Sequence, residues 1–400
     1  MDAVKPRIVI IGAGATGRGQ IGQLAHSAGW HVTYIERRED LVDCLAAARR
    51  FTVRLATSDV QEIEVTGFEV HHTDNVEAGA EAIAQADIVV TAVLPTNLES
   101  AVPTLASGLA RRASKQVEKP LNVIACENME RSSSTLREYL RGGAPALDWA
   151  YIDTHVGFPD SMVARAVPVP KDDALVLLAE ATQEWSVDAN AVREPMPRLE
   201  GMTLTANQDA ALERKLYIKN TGHFAIAILG FVRGHRLMDE ATRDSEVFRW
   251  VDAATRESAA AVVGRHGFDA AETERYRASF LEAMRSPLLP DDVLRVIREP
   301  LRKLTREERL VGPAMLACAQ GQEPRALAHL VAVTLVTPAP GDAQSAKLQA
   351  RLASEGLDRV LATVCGIPHG HPLAKLVAEA YRKESPRARA FDAVQERGNA

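Results

Sequence analysis

Residues 7–36 read RIVIIGAGATGRGQIGQLAHSAGWHVTYIE, and the order of residue types in this stretch decides the fold class. Residues 7–11 form a short apolar run expected as a buried strand, residues 13–29 a glycine-rich turn feeding a helix, and residues 31–35 a second strand. Gly12, Gly14 and Gly17 stand in GxGxxG spacing at the strand-to-helix junction. The first allows a tight turn, the second lets a pyrophosphate approach the backbone, and the third lets helix and strand pack closely. Amide groups at Gly14, Ala15 and Thr16, with the positive helix end, would then face a diphosphate. Glu36 follows about 20 residues on, where a carboxylate accepts from the adenosine ribose and repels an added phosphate. NAD, rather than NADP, is the expected cofactor. Arg37 and Arg38 stay open between sandwiching adenine, attracting a phosphate, and lying solvated on a loop.

Outward from this stretch, strand and helix continue to alternate. Residues 51–55 and 63–70 read as an inserted pair of strands. A helix over 76–85, a strand over 87–93 and a helix from about 97 follow. A strand over 121–126 and a helix from about 128 complete the alternation. The pattern implies an α/β fold, a Rossmann-type and mainly parallel sheet covered on both faces. Regularity falters over 153–170, where Pro159, Pro168 and Pro170 limit helices, and short strands are expected at 174–178 and 185–187. Pro195 and Pro197 place the boundary between a cofactor domain (1–196) and a predominantly helical domain (197–400). Helices are expected there over 209–231, 251–265, 271–284, 309–319, 324–336 and 344–354, with a frayed charged tail after Ala378.

Ligands collect at the carboxyl ends of an open parallel sheet. Thr91, Ala92 and Val93, and Cys126, Glu127 and Asn128, occupy two such ends and should border the nicotinamide. Asn128 has two readings, an amide donor to a reacting oxygen or a plain helix N-cap.

The 400 residues are 46% hydrophobic and 25% charged, an ordinary soluble composition for two or three domains. Aromatics at 5% and a net charge of −6 give neither stacking platforms nor a basic footprint for nucleic acid. No run reaches the roughly 18 apolar residues of a spanning helix, and glycines and Arg18 interrupt the apolar start at once. Cys44, Cys126, Cys318 and Cys365 lie far apart without metal-ligand spacing, as expected of reduced thiols in a cytoplasmic protein. His369 and His371 lack a clear further ligand, and no metal is expected.

The second constellation is ERKLYIKNTGH, residues 213–223. On an α-helix Lys215, Asn220 and His223 fall at about 0°, 140° and 80°, one broad polar face expected to look into an interdomain cleft. Lys219, at about 40°, is the rival for Lys215. Asn-Thr-Gly in mid-helix is a poor choice for helix formation alone, so a packing or functional need is expected. A solvated helix face is the alternative.

These blocks together make the chain similar to the polyol-specific long-chain dehydrogenases. The matching stretches are GAGATGRG, NVIACENM, HVGFPDSMV, ERKLYIKNTGH, SPLLPDDVLRV and PLRKL, in order from about residue 10 to 304. The resemblance implies a metal-independent NAD enzyme, commonly monomeric, that interconverts a sugar alcohol and a ketose. Lys215 corresponds to the family's proton-transfer lysine, Asn128 and Asn220 to the asparagines holding the substrate oxygen, and His223 to the histidine beside it. Within the family the similarity is greatest to members acting on D-mannitol 1-phosphate, with D-fructose 6-phosphate as the ketone. A phosphate needs a cationic site, for which Arg165, Arg295, Arg302 and Lys303 are candidates, each with a surface charge or ion pair as the alternative. Departures at Ala164, Ala283, Met284 and Ser286 keep a free alditol, another polyol phosphate and a hexuronate open as substrates. A non-enzymatic nucleotide sensor is the remaining alternative; it would need no lysine base.

Overall fold

The computed structural model describes residues 5–56, 61–168, 173–181, 183–288 and 291–398, with side chains to residue 385. Its contacts separate into two compact units, Met1–Leu212 and Glu213–Ala400.

The first unit holds the strands β1 (Arg7–Ile11), β2 (His31–Glu36), β3 (Arg50–Ala56), β4 (Gln61–Thr66), β5 (Glu69–His72), β6 (Ile88–Thr91), β7 (Leu121–Ala125), β8 (Val156–Gly157), β9 (Ser161–Ala164), β10 (Val176–Glu180), β11 (Glu184–Asp188) and β12 (Met202–Thr205). Six of them form one sheet in the order β5-β2-β1-β6-β7-β8, and every pairing in it is parallel. That is the Rossmann strand order, with its switch point between β1 and β6. Alternate residues of β1 feed opposite faces. Ile8 and Ile10 pack with Tyr34 and Val90, while Val9 and Ile11 pack with Val89 and Val123. A strand buried on both faces must be apolar throughout, hence the unbroken IVII.

Two smaller sheets, β10-β3-β4 and β12-β11-β9, accompany the main one. The strand expected over 63–70 is in fact two. Gly67, at φ +68°, turns the chain, so β4 pairs antiparallel with β3 while β5 joins β2 in the main sheet. The helix expected from Asn128 begins later, at Ser132–Gly143, and Asn128 is therefore not its N-cap. The helix expected near Asn97 opens as a 3-10 turn, Pro95–Ala101, before Val102–Ser114. Pro170 lies outside the described residues. Trp185 is a core residue, 1% exposed.

Where the prolines suggested a boundary at 196/197, β12 still pairs in parallel with β11, and the division falls within the helix Gln208–Arg214. The second unit is helical: Thr221–Val232, Ser245–His266, Ala270–Ala283, Val311–Ala319, Arg325–Val336, Ala343–Glu355 and Pro372–Gly398 are its longer elements. The segment after Ala378 belongs to the last of these rather than to a frayed tail. Thr221–Val232 is apolar nearly all round, with nine of its twelve residues buried, and serves as the unit's central core helix. No helix among the described residues is long and apolar enough to cross a membrane.

Candidate functional site

In the first unit the carboxyl ends of β1, β2 and β6 open onto a cavity of about 980 Å³. Gly12, Gly14, Ala15, Thr16, Glu36, Arg37, Ala92 and Val93 all line it, as the sequence led us to expect. Thr91 and Gly17 are buried and not among the lining residues, and Asn128 is exposed and not among them either. Arg38, left open beside Arg37, lines it too; Arg18, Thr73, Val76, Leu94 and Asn97 also line it and were not singled out as cofactor residues. The glycines divide the work as their spacing implies. A Cβ on Gly12, at φ +102°, would lie 2.5 Å from the Ala92 carbonyl oxygen. One on Gly17 would lie 2.0 Å from the Gly12 carbonyl oxygen, whereas one on Gly14 would meet nothing within 4 Å. The turn is thus a closed cradle with one bare side, which is the fit a dinucleotide diphosphate requires.

Glu36, expected as a ribose acceptor, is engaged within the protein itself. Its Oε2 accepts from the Ala13 amide at 2.8 Å, and its Oε1 accepts from the Arg37 and Arg38 amides at 3.0 Å. The carboxylate therefore braces the glycine turn against the end of β2. Replacing it with serine is expected to narrow the preference for NADH over NADPH and to weaken NADH binding itself. Fluorescence titration with both nucleotides checks this, and an unchanged ratio of affinities would remove Glu36 from the selectivity.

At the ends of β6 and β7, buried Glu127 accepts from Thr91 Oγ1 at 2.9 Å and from the Val93 amide at 3.0 Å. Burial pushes its carboxyl above the usual range despite these donors. It ties the two strand ends together and fixes the small residues Ala92 and Val93 at the cavity wall.

In the second unit the expected uninterrupted helix is broken in type. Between Gln208–Arg214 and Thr221–Val232, residues Lys215–Asn220 form a π-helical segment. Wide turns closed by i to i+5 bonds bring residues five apart closer round the axis, and they recur at functional sites. Asn220 thereby lies closer round the helix to Lys215 than the roughly 140° of a regular α-helix. Lys219 has its ammonium 4.5 Å from the Tyr276 ring centroid, a packing role. A Cβ on Gly222 would meet Phe280 at 2.5 Å, so this glycine is required for packing.

His223 Nε2 lies 3.2 Å from Asp291 Oδ2, and Arg295 grips the same carboxylate through Nε at 2.7 Å and Nη2 at 2.5 Å. Asp291 was visible only as part of SPLLPDDVLRV, of which Leu289 and Pro290 lie outside the described residues. Burial opposes its ionisation, but bonds from His223 and Arg295 outweigh that and hold the carboxyl well below the usual range. An ionised carboxylate only accepts, so Nε2 of His223 is the nitrogen that carries a proton toward Asp291.

Two of the four cationic candidates are committed elsewhere. Arg165 belongs to the first unit, where it donates to the carbonyl oxygens of Glu180 and Gly19 and to Gln23 Oε1. Lys303 is 6% exposed and donates to the carbonyl oxygens of Val296 and Arg298, with burial, then Arg309 and Arg302, lowering its pKa to about 8. Both are structural. Arg302 is exposed but paired with Glu299 and Glu308 at 2.8 Å each. Arg295 is the candidate that shares a partner with His223. Among the described residues no group of three or more His, Cys, Asp or Glu could hold a metal ion.

Two family models match the chain, the mannitol dehydrogenase Rossmann domain over residues 6–201 and the mannitol dehydrogenase C-terminal domain over residues 209–384. The chain is 38% identical over 376 residues to a mannitol-1-phosphate 5-dehydrogenase of Brevibacillus brevis, covering 94% of this chain and 97% of that one. Among solved structures it is similar to Pseudomonas fluorescens mannitol 2-dehydrogenase in a ternary complex with NAD and D-mannitol. That match has TM-score 0.70 at 18% identity, over 98% of this chain and 94% of that one. A substrate-free D-sorbitol dehydrogenase gives TM-score 0.80 at 17% identity, over 97% and 95% of the two chains. At such identities these two likenesses show the fold.

Proposed function

The chain belongs to the mannitol dehydrogenase family, and on that premise we propose that it is an NAD-dependent dehydrogenase interconverting D-mannitol 1-phosphate and D-fructose 6-phosphate. The observation that carries this reading is the 38% identity to the mannitol-1-phosphate 5-dehydrogenase of Brevibacillus brevis, extending over 94% of the chain. The glycine-turn cavity of about 980 Å³ supports a dinucleotide as its cofactor.

Bound NAD supplies the hydride acceptor, and the chain manages the proton and the oxygen. Neutral Lys215 takes the hydroxyl proton in oxidation and returns it to the alkoxide in reduction. A free lysine titrates near 10.4, so its surroundings must favour the neutral amine at working pH. Asn220, one wide turn from Lys215, and Asn128 donate to the oxygen where negative charge grows. His223 stands beside that oxygen while Asp291 holds its ring. Arg295 is the group assigned to the phosphate, since a guanidinium matches phosphate geometry with paired donors. The reading extends to a cytoplasmic enzyme working as a monomer. Its four cysteines are free, and Val76, Leu94, Tyr139 and Leu294 are the exposed large apolar residues among those described.

The test compares NADH oxidation with fructose 6-phosphate, free fructose and hexuronates, on the parent and on Arg295→Ala. Fructose 6-phosphate should be strongly preferred, and the preference should shrink selectively in the variant. Equal use of an unphosphorylated ketose overturns the phosphate assignment. Tight NADH binding with no turnover of any sugar would point to a sensor.

A further inference from the structure

Arg18 follows the last glycine of the GxGxxG turn, and its placement is unusual for a charged residue. It is 2% exposed, yet it lines the cofactor cavity beside Gly14, Ala15 and Thr16. A buried charge ordinarily demands an opposite charge. Among the described residues none forms an ion pair with it. Its Nε donates to the Ala13 carbonyl oxygen and its Nη1 to the Ala174 carbonyl oxygen, both at 2.6 Å. Both acceptors are neutral. The remaining nitrogen, Nη2, has no protein partner among the described residues. Glu36, the acidic group nearest in role, is engaged by the amides of Ala13, Arg37 and Arg38. Burial lowers the guanidinium pKa to about 10, which still leaves it charged at neutral pH.

We propose that Arg18 is a cofactor-binding residue, the built-in countercharge for the diphosphate of the dinucleotide. The two carbonyl bonds and the Phe51 ring, 5.4 Å from the guanidinium, hold the side chain in place before any ligand arrives. The Ala13 peptide is then fixed from both sides, by Arg18 at its oxygen and by Glu36 at its nitrogen. An anion at the bare side of Gly14 would supply the charge that the protein withholds. The inference rests on the dinucleotide reading of the cavity and is independent of the sugar substrate.

Its test uses cofactor fragments and no turnover. Binding of adenosine, AMP, ADP and NADH to the full-length parent, Arg18→Met and Arg18→Lys is measured by calorimetry, with thermal melts and circular dichroism as folding checks. Arg18→Met should weaken ADP and NADH about ten- to a hundredfold while leaving adenosine within about twofold. Arg18→Lys, which keeps the charge, should recover a large part of the ADP affinity; should the methionine variant not fold, its smaller ADP-selective loss decides alone. Equal weakening of adenosine and ADP would reduce Arg18 to a structural brace, and unchanged ADP affinity would remove it from the site. Loss of sugar turnover with these affinities intact would bear on the proposed reaction alone.

Discussion

Lys215→Ala is expected to lower kcat by about two to four orders of magnitude, the range of a positioned proton-transfer group, while NADH binding stays close to that of the parent. In the proposed mechanism the base acts on the alcohol proton and has no part in holding the nucleotide, so the loss should fall on turnover. Lys219→Ala is the control. Its ammonium rests against the Tyr276 ring, and its removal should cost packing energy rather than proton transfer. Small primary amines in the assay should restore part of the Lys215→Ala activity and none of a packing defect. A Lys219 variant that is dead beside a working Lys215 variant would transfer the role to the other lysine.

The sequence made the frame of the first unit legible because its signals are local. Arg7–Ile11 and Val76–Gln85 form with the bounds expected, and the glycine spacing located the cavity that the structure opens there. An apolar run, an Asn75 cap whose side chain accepts from the Ala78 amide, and a turn motif are each complete within a dozen residues. What escaped depends on partners distant in the chain. The inserted pair of strands is present as β3 and β4, but nothing in residues 63–70 says that β5 leaves it for β2, although Gly67 marks the place where they part. The boundary failed for the same reason, since the pairing of β12 with β11 outweighs the prolines between them.

The second constellation was expected on one uninterrupted α-helix, and the structure breaks that helix with a π-helical segment. A 3.6-residue period spreads Lys215 and Asn220 widely apart, whereas the wider turn of the π segment brings them closer round the axis. The unfavourable Asn-Thr-Gly was the visible trace, and Gly222 has a packing reason, its closeness to Phe280. Charges were the least legible feature. Lys303 and Arg165 were open between a phosphate contact and a surface charge or ion pair, and the structure instead commits both to backbone carbonyls. Arg18 looked like an interruption of an apolar stretch and proves to be a buried cation lining the cavity. Burial and hydrogen-bond partners, which decide what a charge can do, are not written in one-dimensional order.

The glycine turn yields the second large effect, through a contrast between two substitutions of the same kind. A Cβ at position 17 would lie 2.0 Å from the Gly12 carbonyl oxygen, and backbone on both sides leaves no flexible atom to give way. Gly17→Ala must therefore separate the helix from the turn, an overpacking cost of about 1–3 kcal/mol or more, and the amides can no longer converge on a diphosphate. It should lower the melting temperature and abolish measurable NADH binding together. Gly14 has neither positive φ nor a neighbour within 4 Å, so Gly14→Ala should melt with the parent. Its methyl group, however, stands on the bare side of the cradle, where the pyrophosphate must approach the backbone. NADH affinity should fall at least about tenfold there without loss of stability, since a displaced diphosphate forfeits charge-assisted bonds. Calorimetric titration and thermal melts on the two variants separate the cases. A Gly14→Ala protein that binds NADH as the parent does would place the diphosphate elsewhere in the cavity and take Arg18 with it.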